Sequence, residues 1–295
     1  MRPRGGGFPA SPSFVKAIES LKGDIVNNND FKSVYPIDAR PWDVIRIEPL
    51  IRTFELIMEH GPDILYRGEV GEALVNYVQS IGGVMEMSDL TEYEPEWRDP
   101  LSIDYKGLTI YESPPNTQGI TTLMILKLLE KLNVNVNAWS RSRIETYLGI
   151  YRIAYELRDS YVGDPRFVDV PINKLLDPEF LVSTYMSRVS KQLSGSGDTT
   201  YFVVVDREGN IVSAIQSLYQ HFGSLVTEPK YGITLNDRAS DFSMDGPNAL
   251  MPRKRPLHTL STVIITKDGE PKYALGTSGG PLQAAAAHFI YNEHC

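Results

Sequence analysis

Cysteine is nearly absent from this sequence, because the only one among its 295 residues is Cys295 at the last position. A single cysteine excludes an intramolecular disulfide and a thiolate metal cluster, and it argues against a cysteine nucleophile. An excess of positive charge is missing too. The formal net charge is -8 at pH 7, so the chain has no basic footprint for nucleic acid or for an anionic membrane surface. Long apolar runs are also missing, which leaves no candidate for a membrane span.

The first residues of the sequence show no export signal. Residues 1–12 are rich in glycine, proline and arginine, and they lack the apolar segment of an export signal. The sequence therefore assigns no compartment. Its length and its 42% of hydrophobic residues are typical of a globular protein with one large core or two ordinary ones.

The most informative stretch is 195–206, where the small polar run Gly-Ser-Gly-Asp changes into a β-branched run at Thr199 and Thr200. This change predicts a buried strand that begins there. If the chain is cut before Thr199, that residue gains a free α-amine beside its own hydroxyl, which places a nucleophile and a general base on one residue. Taken alone, the stretch favours the simpler interpretation, an ordinary loop that enters a strand.

Helical periodicity dominates the part of the chain before this stretch. Apolar residues at helical spacing predict a helix that ends before Gly82-Gly83, and a more uniformly apolar helix covers 121–132. Ser142 and Glu145 form a candidate capping box for a third helix, which we expect to end near Gly163-Asp164-Pro165.

Short β runs dominate after Thr199. Alternation and turn residues predict hairpins over 200–217 and 260–276, and an earlier hairpin over 103–111. Helices in the first part and antiparallel strands in the second predict an α+β fold, in which antiparallel sheets are covered by helices.

Many short motifs follow one another along most of the chain. They are Gly61-Pro62-Asp63, Tyr66-Arg67-Gly68, Gly82-Gly83, Asp89-Leu90, Tyr93, Tyr105-Lys106-Gly107, Pro114-Pro115, Gly119, Gly163-Asp164-Pro165, Thr199-Thr200, Val204-Val205-Asp206, Gly209-Asn210, Phe222-Gly223, Leu235-Asn236, Asp241-Phe242-Ser243, Lys254-Arg255-Pro256-Leu257 and Gly279-Gly280. In this order they resemble the γ-glutamyltranspeptidase family of N-terminal-nucleophile hydrolases. The whole set is far more specific than any single motif.

The resemblance implies a four-layer αββα sandwich and a proenzyme that cleaves itself between Asp198 and Thr199. Residues 1–198 then form a large-subunit-like, mostly helical part, and residues 199–295 form a small-subunit-like, β-rich catalytic part. The two products are expected to stay associated. Compared with the family, we expect the chain to be truncated at both ends, because the family's substrate-binding arginine and the segment beyond its glycine pair are not recognisable here.

Matched to the family motif, Thr199 is the nucleophile and its new α-amine is the general base, since a hydroxyl at its ordinary pKa needs an adjacent base. Ser217 takes the place of the hydroxyl residue that supports the nucleophile. Gly279 and Gly280 match the glycine pair whose backbone N–H groups form an oxyanion hole, where glycine lets the backbone approach the reacting carbonyl. This chemistry supplies its own base, so it implies neither a metal nor an organic cofactor.

Substrate recognition is where the chain departs from the family pattern. Asp241 matches the carboxylate that holds the α-amine of a γ-glutamyl group. Arg238 stands where a glutamine or glutamate is usual, His258 and Thr259 replace a serine pair, and Tyr219 replaces an asparagine. These replacements resemble the branch that contains cephalosporin and glutaryl acylases, because an arginine suits a dicarboxylic acyl group.

Two of these residues also admit a purely structural role. Arg238 can pair with Asp237 or Asp245 instead of a ligand, and His258 can be a buried core histidine.

Three functional hypotheses follow. The first is a self-processing γ-glutamyltransferase and γ-glutamyl hydrolase, which passes the acyl group from a glutathione-like amide to water, an amino acid or a peptide. The second is a glutaryl or cephalosporin acylase-type amidase of the same fold, and the third is a catalytically inactive fragment.

Overall fold

The computed structural model describes residues 7–134, 140–187 and 198–286. Its helices are α1 Pro12–Ser20, α2 Lys22–Ile25, α3 Asn29–Val34, α4 Glu48–His60, α5 Asp63–Tyr66, α6 Glu69–Ser80, α7 Met87–Thr91, α8 Gly119–Lys131, α9 Arg141–Tyr161, α10 Ile172–Leu175 and α11 Pro178–Ser187. Its strands are β1 Phe8–Pro9, β2 Val44–Ile45, β3 Leu101–Tyr105, β4 Leu108–Glu112, β5 Asp198–Val205, β6 Ile211–Tyr219, β7 Thr227–Glu228, β8 Ile233–Thr234, β9 Val263–Lys267 and β10 Glu270–Leu275.

The chain divides into two compact units. Unit 1 consists of Met1–Glu96 and His221–Asn236, and unit 2 consists of Trp97–Gln220 and Asp237–Cys295. Each unit therefore contains sequence from both sides of the Asp198–Thr199 bond.

Unit 1 is helical, and the short β7–β8 hairpin is held among its helices by side-chain contacts. The Thr53 hydroxyl on α4 donates to the Tyr231 carbonyl at 2.7 Å, and the Tyr231 hydroxyl donates to Glu69 Oε2 on α6 at 2.8 Å. Phe222 packs edge-on against Phe31 at a ring-centroid distance of 5.3 Å. The segment 221–236 is thus part of the core of unit 1.

Unit 2 is organised around a four-stranded antiparallel sheet in the order β10-β9-β4-β3. Its central pair is in the register Ile110↔Ile265, and both isoleucines are fully buried. Each buried isoleucine contributes about 1.5–3 kcal/mol relative to an exposed one. The two hairpins end in turns with positive φ at both central residues, as at Asp268 (53°) and Gly269 (82°), which matches the twist of the strands.

Helix α8 packs on this sheet and is buried nearly all round, because α9 and α11 cover its other faces. A helix covered on every side requires apolar residues on every side, and its Ile-Thr-Thr-Leu-Met-Ile-Leu run supplies them. The core of unit 2 therefore lies between the sheet and these helices.

The predicted helices and hairpins are confirmed, with one correction to a boundary. The N-cap of helix α9 lies two residues before the predicted one: it is Ser140, not Ser142, and its hydroxyl accepts from the Arg143 N–H at 3.2 Å. Both serines have the chemistry of a cap, and the extended backbone of Ser140 decides between them. The α+β class with antiparallel sheets and covering helices is confirmed.

The β5–β6 hairpin corrects a second expectation, that of a buried strand at Thr199. The side chains of Phe202, Val203, Val204 and Val205 are 40–58% exposed, because within the described residues β5 pairs only with β6. The hairpin contacts the four-stranded sheet and the residue that follows β10. Ser213 Oγ donates to the Val263 carbonyl at 3.3 Å, and Tyr201 lies directly against Gly276.

Candidate active site

Thr199 lies at an irregularity in the β5–β6 hairpin. The register passes from Asp198↔Tyr219 to Thr200↔Gln216, so that Thr199 faces two residues of β6, Ser217 and Leu218. Such bulges bend a strand and redirect a side chain. The two residues predicted to form the nucleophilic pair, Thr199 and Ser217, therefore lie in the same irregular stretch. Of the preceding loop, Gly195–Gly197 falls outside the described residues, and only the backbone pairing of Asp198 is described.

The hydroxyl of Thr199 accepts a hydrogen bond from the side chain of Gln283, with 3.1 Å between Nε2 and Oγ1. Gln283 is 1% exposed, and its Oε1 accepts from the Ser261 backbone N–H at 3.1 Å. The Ser261 hydroxyl in turn donates to Glu112 Oε1 at 2.5 Å. A buried chain of hydrogen bonds thus runs from Thr199 to a carboxyl group at the end of β4.

Glu112 is 1% exposed, and burial raises its pKa to about 8, although its hydrogen bonds with Ser261, Thr122, Ser113 and Thr262 lower it. The carboxyl group is therefore largely protonated at neutral pH. A signal for its burial exists in the sequence, because Glu112 shares one face of β4 with Ile110.

The predicted glycine pair lies on the same segment as Gln283. Gly279 and Gly280 have φ values of 128° and 53°, in the region that favours glycine, and Gly280 opens a 3₁₀ turn that ends at Leu282. The Gly280 carbonyl accepts from Gln118 Nε2 at 3.1 Å. The segment that carries the pair is thus joined to the nucleophile through Gln283, three residues further on.

Gln118 is fully buried and connects three parts of the site. Its Nε2 donates to the carbonyl oxygens of Gly280 and Thr259, and its Oε1 accepts from Arg158 Nη1 at 2.9 Å. Because every polar atom of this amide is engaged, it fixes the glycine segment relative to the residues predicted to bind substrate.

The residues predicted to bind substrate form one cluster around Arg238, which is 6% exposed. Its Nη1 donates to the Thr259 hydroxyl at 2.8 Å and lies 3.3 Å from Asp241 Oδ2. Its guanidinium carbon stacks over the Tyr219 ring, 4.4 Å from the centroid. Arg238 and Asp241 occupy the two ends of one 3₁₀ turn, which is why the pair meets.

Tyr219 joins this cluster to the nucleophile. It ends β6 with a φ of 84°, a strained value for a bulky residue, and its backbone N–H donates to Ser217 Oγ at 2.9 Å. Burial raises the pKa of Tyr219 to about 12, and its hydrogen bond to Asp241 adds to the increase. Ser217 therefore lies between Thr199 and the Arg238 cluster.

His258 lies beside the cluster and is neutral at pH 7. Burial lowers its pKa to about 4, and the charge of Arg238 lowers it further in the same direction. Its Nδ1 is buried without a hydrogen-bond partner among the described residues, whereas its backbone pairs with Asn116 and Gln118. His258 thus packs as an uncharged side chain.

Two absences apply to the described residues alone. Within them, no group of three or more histidine, cysteine, aspartate or glutamate side chains is arranged to hold a metal ion. No helix in the same ranges is long and apolar enough to cross a membrane.

Sequence reasoning missed Gln283, Gln118 and Glu112 as members of this site. The signal for Gln283 is weak: it is the one polar residue in the apolar run 281–287 that follows the glycine pair. Gln118 lies just before the helix predicted over 121–132, where an amide is typical of a surface residue.

Comparisons with known proteins identify relatives of the whole described chain. The family profile described as Gamma-glutamyltranspeptidase matches residues 4–293. The Glutathione hydrolase-like YwrD proenzyme of Bacillus subtilis (strain 168) is 36% identical over 242 residues, which cover 79% of this chain and 46% of the relative. The Glutathione hydrolase proenzyme of the same strain is 31% identical over 329 residues, with coverage of 97% and 55%. The chain thus spans about half the length of the curated relatives it matches.

Among solved structures, the crystal structure of cephalosporin acylase from Bacillus halodurans matches with a TM-score of 0.86 and 27% identity, covering 97% of this chain and 55% of that one. The predicted N-terminal-nucleophile fold is confirmed by this match.

Proposed function

The chain belongs to the gamma-glutamyltranspeptidase family, and on that basis we propose that it is part of a self-processing γ-glutamyl hydrolase and transferase that acts on glutathione-like amides. The observation that carries the proposal is the placement of Thr199. It lies at a bulge opposite Ser217, with its hydroxyl held by the segment that bears Gly279 and Gly280.

Self-processing is the first step of the proposed chemistry. The Thr199 hydroxyl oxygen attacks the carbonyl carbon of Asp198, and the bond from that carbon to the Thr199 nitrogen breaks. Water then hydrolyses the resulting ester, which releases the Asp198 carboxyl and leaves Thr199 with a free α-amine. This amine becomes the general base that takes the hydroxyl proton in each later acyl transfer.

The remaining roles follow from the positions in the site. Ser217 supports the Thr199 hydroxyl, and the backbone N–H groups of Gly279 and Gly280 stabilise the oxyanion, which lowers the barrier by about 3 to 4 kcal/mol. Asp241 binds the α-ammonium group of the γ-glutamyl substrate. Water, an amino acid or a peptide accepts the acyl group from Thr199.

Processing divides the chain into a large-subunit-like part, 1–198, and a small-subunit-like part, 199–295, and we infer that these stay associated. The register between β4 and β9 supports this inference, since it joins strands from the two parts in one sheet.

Intact mass measurement of the purified 295-residue chain tests the proposal. We expect two fragments that meet at Asp198 and Thr199, and hydrolysis of γ-glutamyl-p-nitroanilide by the processed protein. Thr199→Ala removes the nucleophile and prevents cleavage, whereas Thr200→Ala, one residue further along β5, is the matched control and still processes. An intact chain without activity favours the third hypothesis, an inactive fragment, and a Thr199→Ala chain that still cleaves contradicts the proposal.

A second candidate function is a glutaryl or cephalosporin acylase-type amidase. The pairing of Asp241 with Arg238 at 3.3 Å favours it, because this ion pair offsets the charge that would attract an α-ammonium group. Arg238, Tyr219, His258 and Thr259 then line a pocket for a dicarboxylic acyl group. Hydrolysis of glutaryl-p-nitroanilide but not of the γ-glutamyl amide selects this candidate.

A further inference from the structure

We propose that Gln283 is a catalytic residue, whose side-chain amide holds the Thr199 hydroxyl and stabilises negative charge on its oxygen during acyl transfer. The inference rests on the proposed role of Thr199 as the nucleophile. It adds to the site a residue that belongs to none of the motifs recognised in the sequence.

The orientation of the Gln283 amide is determined by its other partner. The Ser261 backbone N–H can only donate, so the atom that faces it at 3.1 Å must be the carbonyl oxygen Oε1. A flipped amide would place two donors against each other. Nε2 therefore faces Thr199 Oγ1, at 3.1 Å, and the threonine oxygen is the acceptor.

This direction has a chemical consequence. Because Thr199 Oγ1 accepts from Gln283, its own hydrogen is directed to a different acceptor, which is the geometry that proton transfer to a base requires. When that proton passes to the base, Oγ1 carries the electron pair that forms the bond to the acyl carbon, and the bond from that carbon to the amide nitrogen breaks as the nitrogen takes up the proton. When water later bonds to the same carbon, the C–Oγ1 bond breaks and Oγ1 leaves with the pair before it regains a proton. A donor on Oγ1 stabilises the charge in both steps.

The burial of Gln283 strengthens its hydrogen bond to Thr199 and holds its amide group in one position. Gln283 is 1% exposed, and a hydrogen bond to a developing charge is stronger in a site that excludes water. Ser261 and Glu112 act as positioning residues. The Ser261 backbone N–H donates to Gln283, and the Ser261 hydroxyl donates to Glu112. The high pKa of Glu112 keeps a second full charge away from the nucleophile at neutral pH.

A purely structural role for Gln283 predicts a different outcome from a catalytic one. A buried amide that only satisfies Ser261 affects stability when it is replaced, but it does not change the turnover of the protein that remains folded. The discriminating quantity is therefore the rate constant per folded molecule, for self-cleavage and for hydrolysis of γ-glutamyl-p-nitroanilide.

Two variants separate the functions of the side chain. Gln283→Met keeps its length and removes both polar atoms. Gln283→Glu keeps an acceptor for Ser261 and, at a pH at which its carboxyl group is ionised, removes the donor to Thr199. We expect both variants to lower the rate of self-cleavage and kcat by about 10- to 100-fold, the range for a hydrogen bond to a charged group, with KM within about twofold of the parent value. Gln216→Met, on the exposed face of β6, is the matched control and leaves both rates unchanged.

The outcomes distinguish this inference from the proposed function. If the parent chain processes and turns over while both folded Gln283 variants do so within twofold of its rates, the inference is wrong and the proposed function stands. If the parent chain neither processes nor turns over, the proposed function fails and the inference fails with it.

If the Gln283 variants do not fold, an NMR measurement that leaves Gln283 unchanged and needs no turnover tests the same hydrogen bond. Thr199→Val replaces the hydroxyl by a methyl group of the same shape. We expect the side-chain amide protons of Gln283, observed by NMR, to move upfield and to exchange faster with solvent in this variant than in Thr199→Ser, which keeps the acceptor. Identical spectra in the two variants mean that the bond is absent, which overturns the inference.

Discussion

Arg238 is paired with Asp241, the residue three positions later on the same 3₁₀ turn, with 3.3 Å between Nη1 and Oδ2. The carboxylate that the family resemblance assigns to an α-ammonium group is thus already bonded to a cation of the same chain. Recognition of a γ-glutamyl group at this position depends on how the substrate ammonium shares Asp241 with Arg238.

Replacing Asp241 by asparagine tests this sharing. We expect Asp241→Asn to lower kcat/KM for γ-glutamyl-p-nitroanilide by about 10- to 100-fold, because a charge-assisted hydrogen bond to the α-ammonium group is lost. The value for glutaryl-p-nitroanilide, which has no ammonium group, changes by less than about threefold. Asp245→Asn, an exposed carboxylate of the same segment, is the control. An equal loss on both substrates contradicts the role of Asp241 in ammonium recognition.

Glu112 makes the stability of the fold fall as pH rises. Burial raises its folded pKa to about 8, whereas the unfolded chain loses this proton near the ordinary value of about 4.5. Between these two pH values the folded state binds more protons, so the free energy of unfolding decreases with pH, by about 3 to 5 kcal/mol in total. Glu112→Gln removes this slope in denaturant titrations at a series of pH values, and the exposed Glu270→Gln retains it. An unchanged slope in Glu112→Gln would mean that this carboxyl is ionised in the fold.

His258 has the opposite effect. Its folded pKa of about 4 lies below the ordinary value of about 6.5, so the unfolded chain binds a proton first as the pH falls. The free energy of unfolding therefore decreases between about pH 6.5 and pH 4, by about 3 kcal/mol. We expect His258→Gln to be less sensitive to acid than the parent across this window, and the exposed His60→Gln to match the parent. Equal acid sensitivity in all three proteins would refute a neutral, buried His258.

Gly276 lets Tyr201 of β5 pack directly against the chain, because glycine has no Cβ at the point of contact. A Cβ at this position would overlap the ring of Tyr201, two residues after Thr199. Gly276→Ala is expected to cost about 1–3 kcal/mol by overpacking, and to slow self-cleavage by displacing the strand that carries the nucleophile. Thermal melting and mass spectrometry measure the two effects. Gly23→Ala, in helix α2, where a Cβ meets no atom within 4 Å, is the control; it does not lower the melting temperature and leaves self-cleavage unchanged.

Much of the fold was predictable from local patterns. The helix α6 and the hairpins of β3–β4 and β9–β10 follow from apolar periodicity and turn residues, because these signals act over a few neighbouring positions. The exposure of Phe202–Val205 was not predictable in this way. A β-branched run predicts a strand, but what covers the strand is decided by tertiary contacts.

The residues of the candidate site also differ in whether local sequence patterns indicate them. Thr199, Ser217, Gly279 and Gly280 came from motifs, and the roles assigned to them remain predictions. Gln283 and Gln118 carry no local pattern, since a glutamine in a loop or an apolar run has no fixed partner in the sequence. Their importance comes from contacts with residues 84 and 162 positions away, which only the folded chain brings together.

The sheet of unit 2 has one further consequence, which concerns the kinetics of folding. Strands β3 and β4 precede Thr199 and strands β9 and β10 follow it, and β4 bonds to β9 at the centre of the sheet. In the unbroken chain this pairing forms within one molecule, so its rate does not depend on protein concentration. If the chain is cleaved as proposed, the same pairing requires an encounter between two molecules, and refolding becomes second order, with a melting temperature that rises with concentration. The precursor is then the form that can fold in dilution, and cleavage makes the folded state one that a diluted, denatured sample regains only slowly.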